Sequence, residues 1–373
     1  MKPGTAESSP NSAAGASAVG GPLVSFIIPT HNYGHYLLEA IESALAQTYD
    51  NFELIVVDDG STDGTRQLIE PLRDRLRYVR RNQGGPSAAR NTGIMASRGQ
   101  LIAFLDADDV WLPHKTALQV SYLVEHPEVG LVCGRTQAME DNDRRRPGAT
   151  GDQPPRRAGE RVMQFAAGAA FTELFLHHRN YVATSTVMLR RKCLDLVGMF
   201  DESLRRVEDF NLWLRVGRCF ALARLPHALA RHRRHGSNLA RDRDAMRRAV
   251  MANLDHICAL YPEVAAWRRR VASRLFLKHG LQDLYERRPG EARSNVKAAI
   301  RHHPLNAAAY PLLLASYCPA CWREAARTVS RLGRRVVRSC GGRARVLIGG
   351  GTLKSRSRSA LSGAHGREPT PRL

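Results

Sequence analysis

The chain has 373 residues, 43% of them apolar, and a formal net charge of +21 at pH 7. That length suits one large or two ordinary domains with real cores. No run approaches the roughly 20 apolar residues that a membrane-spanning helix needs, which argues against an integral membrane protein.

The charge is unevenly placed. Residues 1–230 hold 26 Lys and Arg against 26 Asp and Glu, whereas residues 231–373 hold 30 against 9. A neutral body with a basic tail points to an anionic partner, either a membrane surface or nucleic acid. Arginines in the tail interleave with apolar residues, as in RRVVR and ARVLI. That pattern suits the cytoplasmic face of a membrane. Aromatic residues are sparse there, so stacking on bases is poorly supported and nucleic acid is disfavoured. The seven cysteines are scattered and odd in number, which fits a reducing, cytoplasmic compartment. CPAC at 318–321 lacks the second pair that a zinc site would need.

Residues 1–21 are rich in Gly, Ala, Ser and Pro and lack an apolar stretch, so they read as a disordered leader rather than a secretory signal. LVSFII (23–28) is an apolar, β-branched run that predicts a buried strand. The polar turn PTHNYGHY follows, and then Tyr36, Leu37, Ala40, Ile41, Ala44 and Leu45 recur at helical spacing. FELIVV (52–57) predicts a second strand, ended by DDGSTDGT, where Ser61 or Thr62 can cap the next helix. A short strand near LRYV (76–79) leads into a Gly-rich loop and a helix. The next strand runs into LIAFLDADDVW (101–111). Strand–helix alternation predicts an open α/β sheet, with ligands beyond the carboxyl ends of its strands. PTHN, DDGSTD and DADD all lie at such ends and are expected to converge. Residues 135–160 read as a polar surface loop, the chain turns helical from about 241, and order is doubtful beyond 341.

Three carboxylates in DADD are more than a helix cap requires, since one Asp satisfies the free backbone donors. Like charges this close repel, and a shared cation relieves them. Strand alternation puts Asp106 and Asp108 on one side, where oxygen ligands suit Mg2+ or Mn2+ bridging to substrate phosphates. Asp58 and Asp59 end the neighbouring strand, where an Asp can accept a bond from a base N–H. The Gly-rich loop before Arg90 lets backbone approach a ligand closely. No phosphate-binding loop fingerprint is present, so metal would hold the phosphates. The combination suggests a metal-bridged nucleoside diphosphate.

Three blocks in order carry a family resemblance: VSFIIPTHNYGHYLLEAIESALAQTYDNFELIVVDDGSTDGT, GGPSAARNTGIMASRGQLIAFLDADDVWLP and TSTVMLRRKCLDLVGMFDESLRRVEDFNLWLR. Over roughly residues 23–240 the chain resembles the family 2 glycosyltransferases of the GT-A fold. The resemblance implies a Rossmann-like mixed sheet flanked by helices over residues 22–240. A basic α-helical region (241–340) and a tail (341–373) would follow. It implies that Pro29, Thr30, His31 and Asn32 lie near the nucleotide base, with His31 where the family often has a stacking aromatic residue. Asp59 would bond the base, with Asp58 beside it as a further nucleotide-sugar-binding candidate. Arg90 would lie near the nucleotide and Asp106 at the ribose, with Asp108 on the metal. Asp209 matches the catalytic base, with Glu208 beside it. HRRHGSN (232–238) resembles a closing motif that would put Arg233 and His235 near the diphosphate, His235 on the metal, with His232 where the family has Tyr.

The implied activity is inverting transfer from a nucleoside diphosphate sugar, UDP-sugar by preference, to a hydroxyl on a saccharide or lipid-linked acceptor. Cell-surface polysaccharide or lipopolysaccharide synthesis is the implied setting. Two other classes are weighed: a nucleotidyltransferase making nucleotide sugars, and a nucleic-acid-binding protein using the basic tail. The first would carry a Gly-rich basic loop where this chain has PTHNYGHY. Asp201 and Glu202 read as turn stabilisers and Trp111 and Trp213 as core. Residues 281–316 resemble a tetratricopeptide-like helical hairpin, with 323–358 as the membrane-adhesive part.

Overall fold

The computed structural model describes residues 21–141, 161–177, 181–236 and 242–317. The first half runs β1 (Val24–Thr30), α1 (Gly34–Leu45), β2 (Phe52–Asp58), α2 (Thr65–Ile69), β3 (Arg77–Arg80), α3 (Pro86–Ala96) and β4 (Leu101–Phe104). After it come β5 (Val110–Trp111), α4 (Lys115–Glu125), β6 (Val129–Glu140), β7 (Met163–Phe165), α5 (Ala169–His177), β8 (Met188–Arg190), α6 (Arg191–Val197), α7 (Glu208–Cys219) and β9 (Ala221–Arg234). Four further helices close the described chain: α8 (Arg243–Leu260), α9 (Arg268–Tyr285), α10 (Pro289–His302) and α11 (Ala309–Ala315).

The strands form one mixed sheet in the order β3-β2-β1-β4-β8-β6-β9-β5, with β7 also on β9. The first four strands are parallel to one another, whereas β8 runs antiparallel to both β4 and β6. This is the GT-A arrangement of a mixed sheet flanked by helices. Both faces of β1, β2 and β4 are covered, so these strands are largely apolar, whereas the edge strand β3 exposes Arg77 and Arg80. On β1, Phe26 and Ile28 face one way with Leu37 and Ile41 of α1. Ile27 faces the other way, in a cluster with Ile94 of α3. On β4, Leu101 and Ala103 join the first cluster, and Ile102 and Phe104 the second.

α8 and α9 share that second cluster: Leu254, Ile257, Val264, Val271 and Ala272 pack into the same core as Phe171, Leu212 and Trp213. A smaller core around Leu284, Val296 and Leu312 joins α9, α10 and α11. The helical hairpin expected over 281–316 is present, but its first arm begins earlier, at Arg268. CPAC, residues 323–358 and most of the 135–160 loop lie outside the described residues.

Several local expectations change. The strand preceding DADD stops at Phe104, and Asp109 N donates to the Asp106 carbonyl at 3.0 Å, so DADD is a turn. Alternation therefore does not set the directions of Asp106 and Asp108. No helix follows that turn for Asp108 or Asp109 to cap, because the chain enters β5. At the start of α2, neither Ser61 nor Thr62 caps the helix. Asp63 accepts from Thr65 N at 3.2 Å and from the Thr65 hydroxyl at 2.6 Å. Residues 135–140 extend β6 instead of opening a loop, paired with β9 up to Glu140–Arg234. Trp111 and Trp213 are core, at 1% and 0% exposure.

α3 approaches β1 closely at Gly93, where an added Cβ would sit 2.4 Å from Ile27 Cγ2. Ile27 is fully buried and cannot swing aside. Gly93→Ala is therefore expected to lose about 1–3 kcal/mol of stability by overpacking, read from the urea unfolding midpoint.

Candidate active site

The strand ends build the site. β1 and β2 finish side by side, with Thr30 paired to Asp58. The two following loops are tied together. Asp59 N donates to the Thr30 carbonyl at 2.8 Å, Asn32 N to Ser61 Oγ at 3.0 Å, and Thr62 N to Asn32 Oδ1 at 2.8 Å. Asn32 holds φ at 57°, a left-handed conformation that Asn tolerates better than most residues. His31 lies over this seam, with Nδ1 2.9 Å from the Asp59 carbonyl and Nε2 3.1 Å from Gln83.

The two adjacent aspartates do different work. Asp58 is 1% exposed; its carboxylate accepts from Ser61 N at 2.8 Å and from the Tyr78 hydroxyl. Asp59 accepts from Arg81 at 2.6 Å and from the backbone N–H groups of Gly84, at 3.0 Å, and Gly85, at 2.7 Å. Asp59 thus fixes the Gly-rich loop against the end of β2. Arg81 is a partner that motif reading missed, although it sits two residues before the loop.

The DADD turn sorts its three carboxylates onto three partners. Asp106 accepts from Arg90 at 2.8 Å. Asp108 lies 2.8 Å from His235 Nε2. Asp109 is buried and accepts from Ser185 Oγ at 2.6 Å and from Arg233 N at 3.1 Å, with His232 Nδ1 at 3.0 Å. Burial first, then the charges of Asp109 and Asp106, push the Asp108 carboxyl up to about 6. The hydrogen bond to Asp109 raises His232 to about 9 against the cost of burial.

The closing motif comes back to the first loop, so all three strand-end clusters converge. The His235 ring lies 5.7 Å from that of Tyr33 and 5.1 Å from that of Tyr36. Arg233 is buried beside them. Its guanidinium pairs with Glu39, donates to the Asp108 carbonyl at 3.1 Å and stacks 4.8 Å from the Tyr36 ring centre. Periodicity had marked Tyr36 only as part of a helix face.

Arg90 lies beneath the site. Only 6% exposed, it donates to Asp106 at 2.8 Å on one side and to Glu208 at 2.7 Å on the other. Both carboxylates raise its pKa against the opposing effect of burial. Beside Glu208, Asp209 stands in the first turn of α7 and remains partly exposed. Thr184 Oγ1 donates to it at 2.9 Å and Phe210 N at 2.6 Å. Burial, then the neighbouring charge of Glu208, pushes Asp209 up to about 6. Val207 enters this turn at φ 57°, costly for a β-branched residue and of the kind that clusters at working sites. Thr184 and Ser185 were missed as site residues; the signal was two adjacent hydroxyls within TSTVMLR. Asp201 stabilises its turn as expected, accepting from Ser203 N at 2.9 Å.

No group of three or more His, Cys, Asp or Glu side chains that could hold a metal occurs among the described residues. Asp108 and His235 nevertheless suit Mn2+ or Mg2+ as an incomplete shell. They supply one hard oxygen and one imidazole beside two further carboxylates whose repulsion a cation would relieve. Such a pair needs phosphate and water oxygens to complete the coordination.

The family model for Glycosyl transferase family 2 matches residues 25–192. An uncharacterized glycosyltransferase of Rickettsia prowazekii is 33% identical over 196 residues, covering 52% of this chain and 58% of that one. The Escherichia coli UDP-Glc:alpha-D-GlcNAc-diphosphoundecaprenol beta-1,3-glucosyltransferase WfgD is 31% identical over 196 residues, covering 52% of this chain and 69% of that one. The chain belongs to glycosyltransferase family 2. The chain spans little more than half the length, 58%, of the Rickettsia prowazekii relative and of a second one from Rickettsia typhi. Among solved structures, S. aureus TarS 1–349 in complex with UDP-GlcNAc superposes with a TM-score of 0.53 at 21% identity, covering 84% of this chain and 91% of that one. The mannosyltransferase PcManGT of Pyrobaculum calidifontis, in complex with GDP-Man and Mn2+, gives 0.52 at 18%, covering 86% and 87%. These two likenesses bear on the fold alone.

Removing Arg90 strands a buried Glu208. Arg90→Met is expected to cost about 3–5 kcal/mol, the range for breaking one partner out of a buried ion pair. Denaturant unfolding at neutral pH measures it; a loss under about 1 kcal/mol would mean that the bridge is solvated.

Proposed function

We propose that this protein transfers a sugar from a nucleoside diphosphate sugar to a hydroxyl acceptor with inversion at the anomeric carbon. One observation carries the reading: a partly exposed carboxylate with a raised pKa, Asp209, is linked through Glu208 and Arg90 to the same acidic turn that presents Asp108 to His235. Asp209 takes the acceptor proton as general base. Its Thr184 and Phe210 bonds aim the carboxylate, and a pKa of about 6 leaves it ionised at neutral pH yet more basic than an ordinary Asp.

His31 and Asn32 meet the base and Asp106 the ribose, with Pro29 and Thr30 shaping the strand end beneath. Asp58 and Asp59 act by holding the loops on either side. Arg90 positions Asp106 and Glu208 rather than touching the nucleotide. A divalent cation held by Asp108 and His235, Mn2+ or Mg2+, would neutralise the charge that develops on the departing diphosphate. The name of WfgD, a UDP-Glc:alpha-D-GlcNAc-diphosphoundecaprenol glucosyltransferase, supports a UDP-sugar donor and a lipid-diphosphate-linked acceptor. No helix among the described residues is long and apolar enough to cross a membrane.

The test is release of nucleoside diphosphate from a panel of UDP- and GDP-sugars with Mn2+ present. Asp209→Asn is expected to keep donor affinity while turnover falls by about 10²–10⁴-fold, the usual worth of a general base. Because the base works deprotonated, turnover of the parent should rise through a limb near pH 6. The variant should lack that limb. Unchanged turnover with weakened donor binding would contradict the assignment.

A further inference from the structure

The C-terminal helices carry a feature that sugar transfer does not use. α9 opens with Arg268, Arg269 and Arg270 and has no acidic residue in its first turn. Three cations there oppose the positive end of the helix dipole, which favours anions. Arg268 is paired with Asp255, but Arg269 and Arg301 make no ion pair among the described residues. The end of α10 and the turn after it fold back onto this place. Arg270 lies 3.3 Å from His303, and Asn306 donates to Ser273 at 2.9 Å. His302 and His303 are both shifted down, by burial and then by the arginines around them. From this cationic edge Leu305 projects, 86% exposed, with Tyr310 held near it by a bond to the Pro304 carbonyl at 2.7 Å.

Exposed arginines without a carboxylate partner, around a projecting aliphatic side chain, suit a surface that is anionic outside and apolar just beneath. We propose that the edge formed by Arg269, Arg270, Arg301 and Leu305 docks on an anionic lipid bilayer. The arginines meet lipid phosphates and carboxylates, and Leu305 enters the headgroup boundary. Nucleic acid would also meet the arginines, but it offers Leu305 nothing. Arg269 and Arg270 lie on α9, which shares the core of the sheet, and α10, which carries Arg301, packs on α9 through the smaller core. Docking would therefore fix the orientation of the whole body, whatever residues 318–373 contribute.

The test uses the full chain and sedimentation with phosphatidylcholine vesicles, with and without phosphatidylglycerol, in the absence of donor. Each Lys or Arg near anionic lipid is worth about fivefold in partitioning, so Arg269→Gln/Arg270→Gln/Arg301→Gln should bind at least about tenfold more weakly. Leu305→Ser, which removes the apolar contact without adding charge, should also weaken vesicle binding but leave retention on double-stranded DNA unchanged. Arg334→Gln/Arg335→Gln/Arg338→Gln, in the tail, should lose less than the first variant. Thermal melts should match the parent, since every changed residue on the edge is solvent-facing. The proposal is overturned if anionic and neutral vesicles bind alike, or if only the tail variant loses binding. It is also overturned if Leu305→Ser binds vesicles as the parent does. Donor release is not part of the readout, so a failed transferase assay leaves this result standing and the converse also holds.

Discussion

One guanidinium joins the two halves of the candidate site. Arg90 stands on α3, between the acidic turn that follows β4 and the start of α7, and its two terminal nitrogens each take one carboxylate. The turn carries Asp108 and the helix carries Asp209, so the spacing between the proposed leaving-group side and the proposed base passes through this bridge. Desolvating three charges is costly unless each is paired, and here both carboxylates converge on one cation. α3 can hold that position because Gly93 lets it press against β1. The packing of the sheet thus sets the geometry of the chemistry.

Charge also decides the character of the two carboxyl groups that matter most. Asp108 and Asp209 are both raised, and in both cases burial is the larger cause and a neighbouring carboxylate the next. Their consequences differ. At Asp108 the repulsion from Asp106 and Asp109 favours any cation that enters. At Asp209 the same physics makes a better proton acceptor. Val207, held at φ 57° one residue before Glu208, stores strain where Asp209 emerges.

Much of this was legible in the residues. Near-continuous apolar runs marked β1, β2 and β4 because both faces of those strands are covered, and the three polar clusters at their ends do meet. Spacing could not show how DADD is divided. A turn replaces the strand after Phe104, so Asp106, Asp108 and Asp109 are directed by Arg90, His235 and Ser185, which lie 16, 127 and 76 positions away. Only the family resemblance placed Arg90 near the nucleotide; its pairing with Glu208, across 118 positions, has no sequence signal. Thr184 and Ser185 were overlooked for the same reason. A hydroxyl has no periodicity to betray it, and its role appears only when the partner arrives. The C-terminal helices read correctly as helical, but their shared core with α5 and α7 needs tertiary contacts to be seen.

The claim that Arg90 couples the acidic turn to the base helix is tested most directly by a double-mutant cycle on Asp106→Asn and Glu208→Gln, measured by denaturant unfolding. Each single change leaves the guanidinium one carboxylate, whereas the double change leaves it buried with none. The double variant should therefore lose more stability than the two singles together, by an interaction energy of about 0.5–3 kcal/mol. Losses that add to within about 0.3–0.5 kcal/mol, as for independent sites, would contradict the bridge.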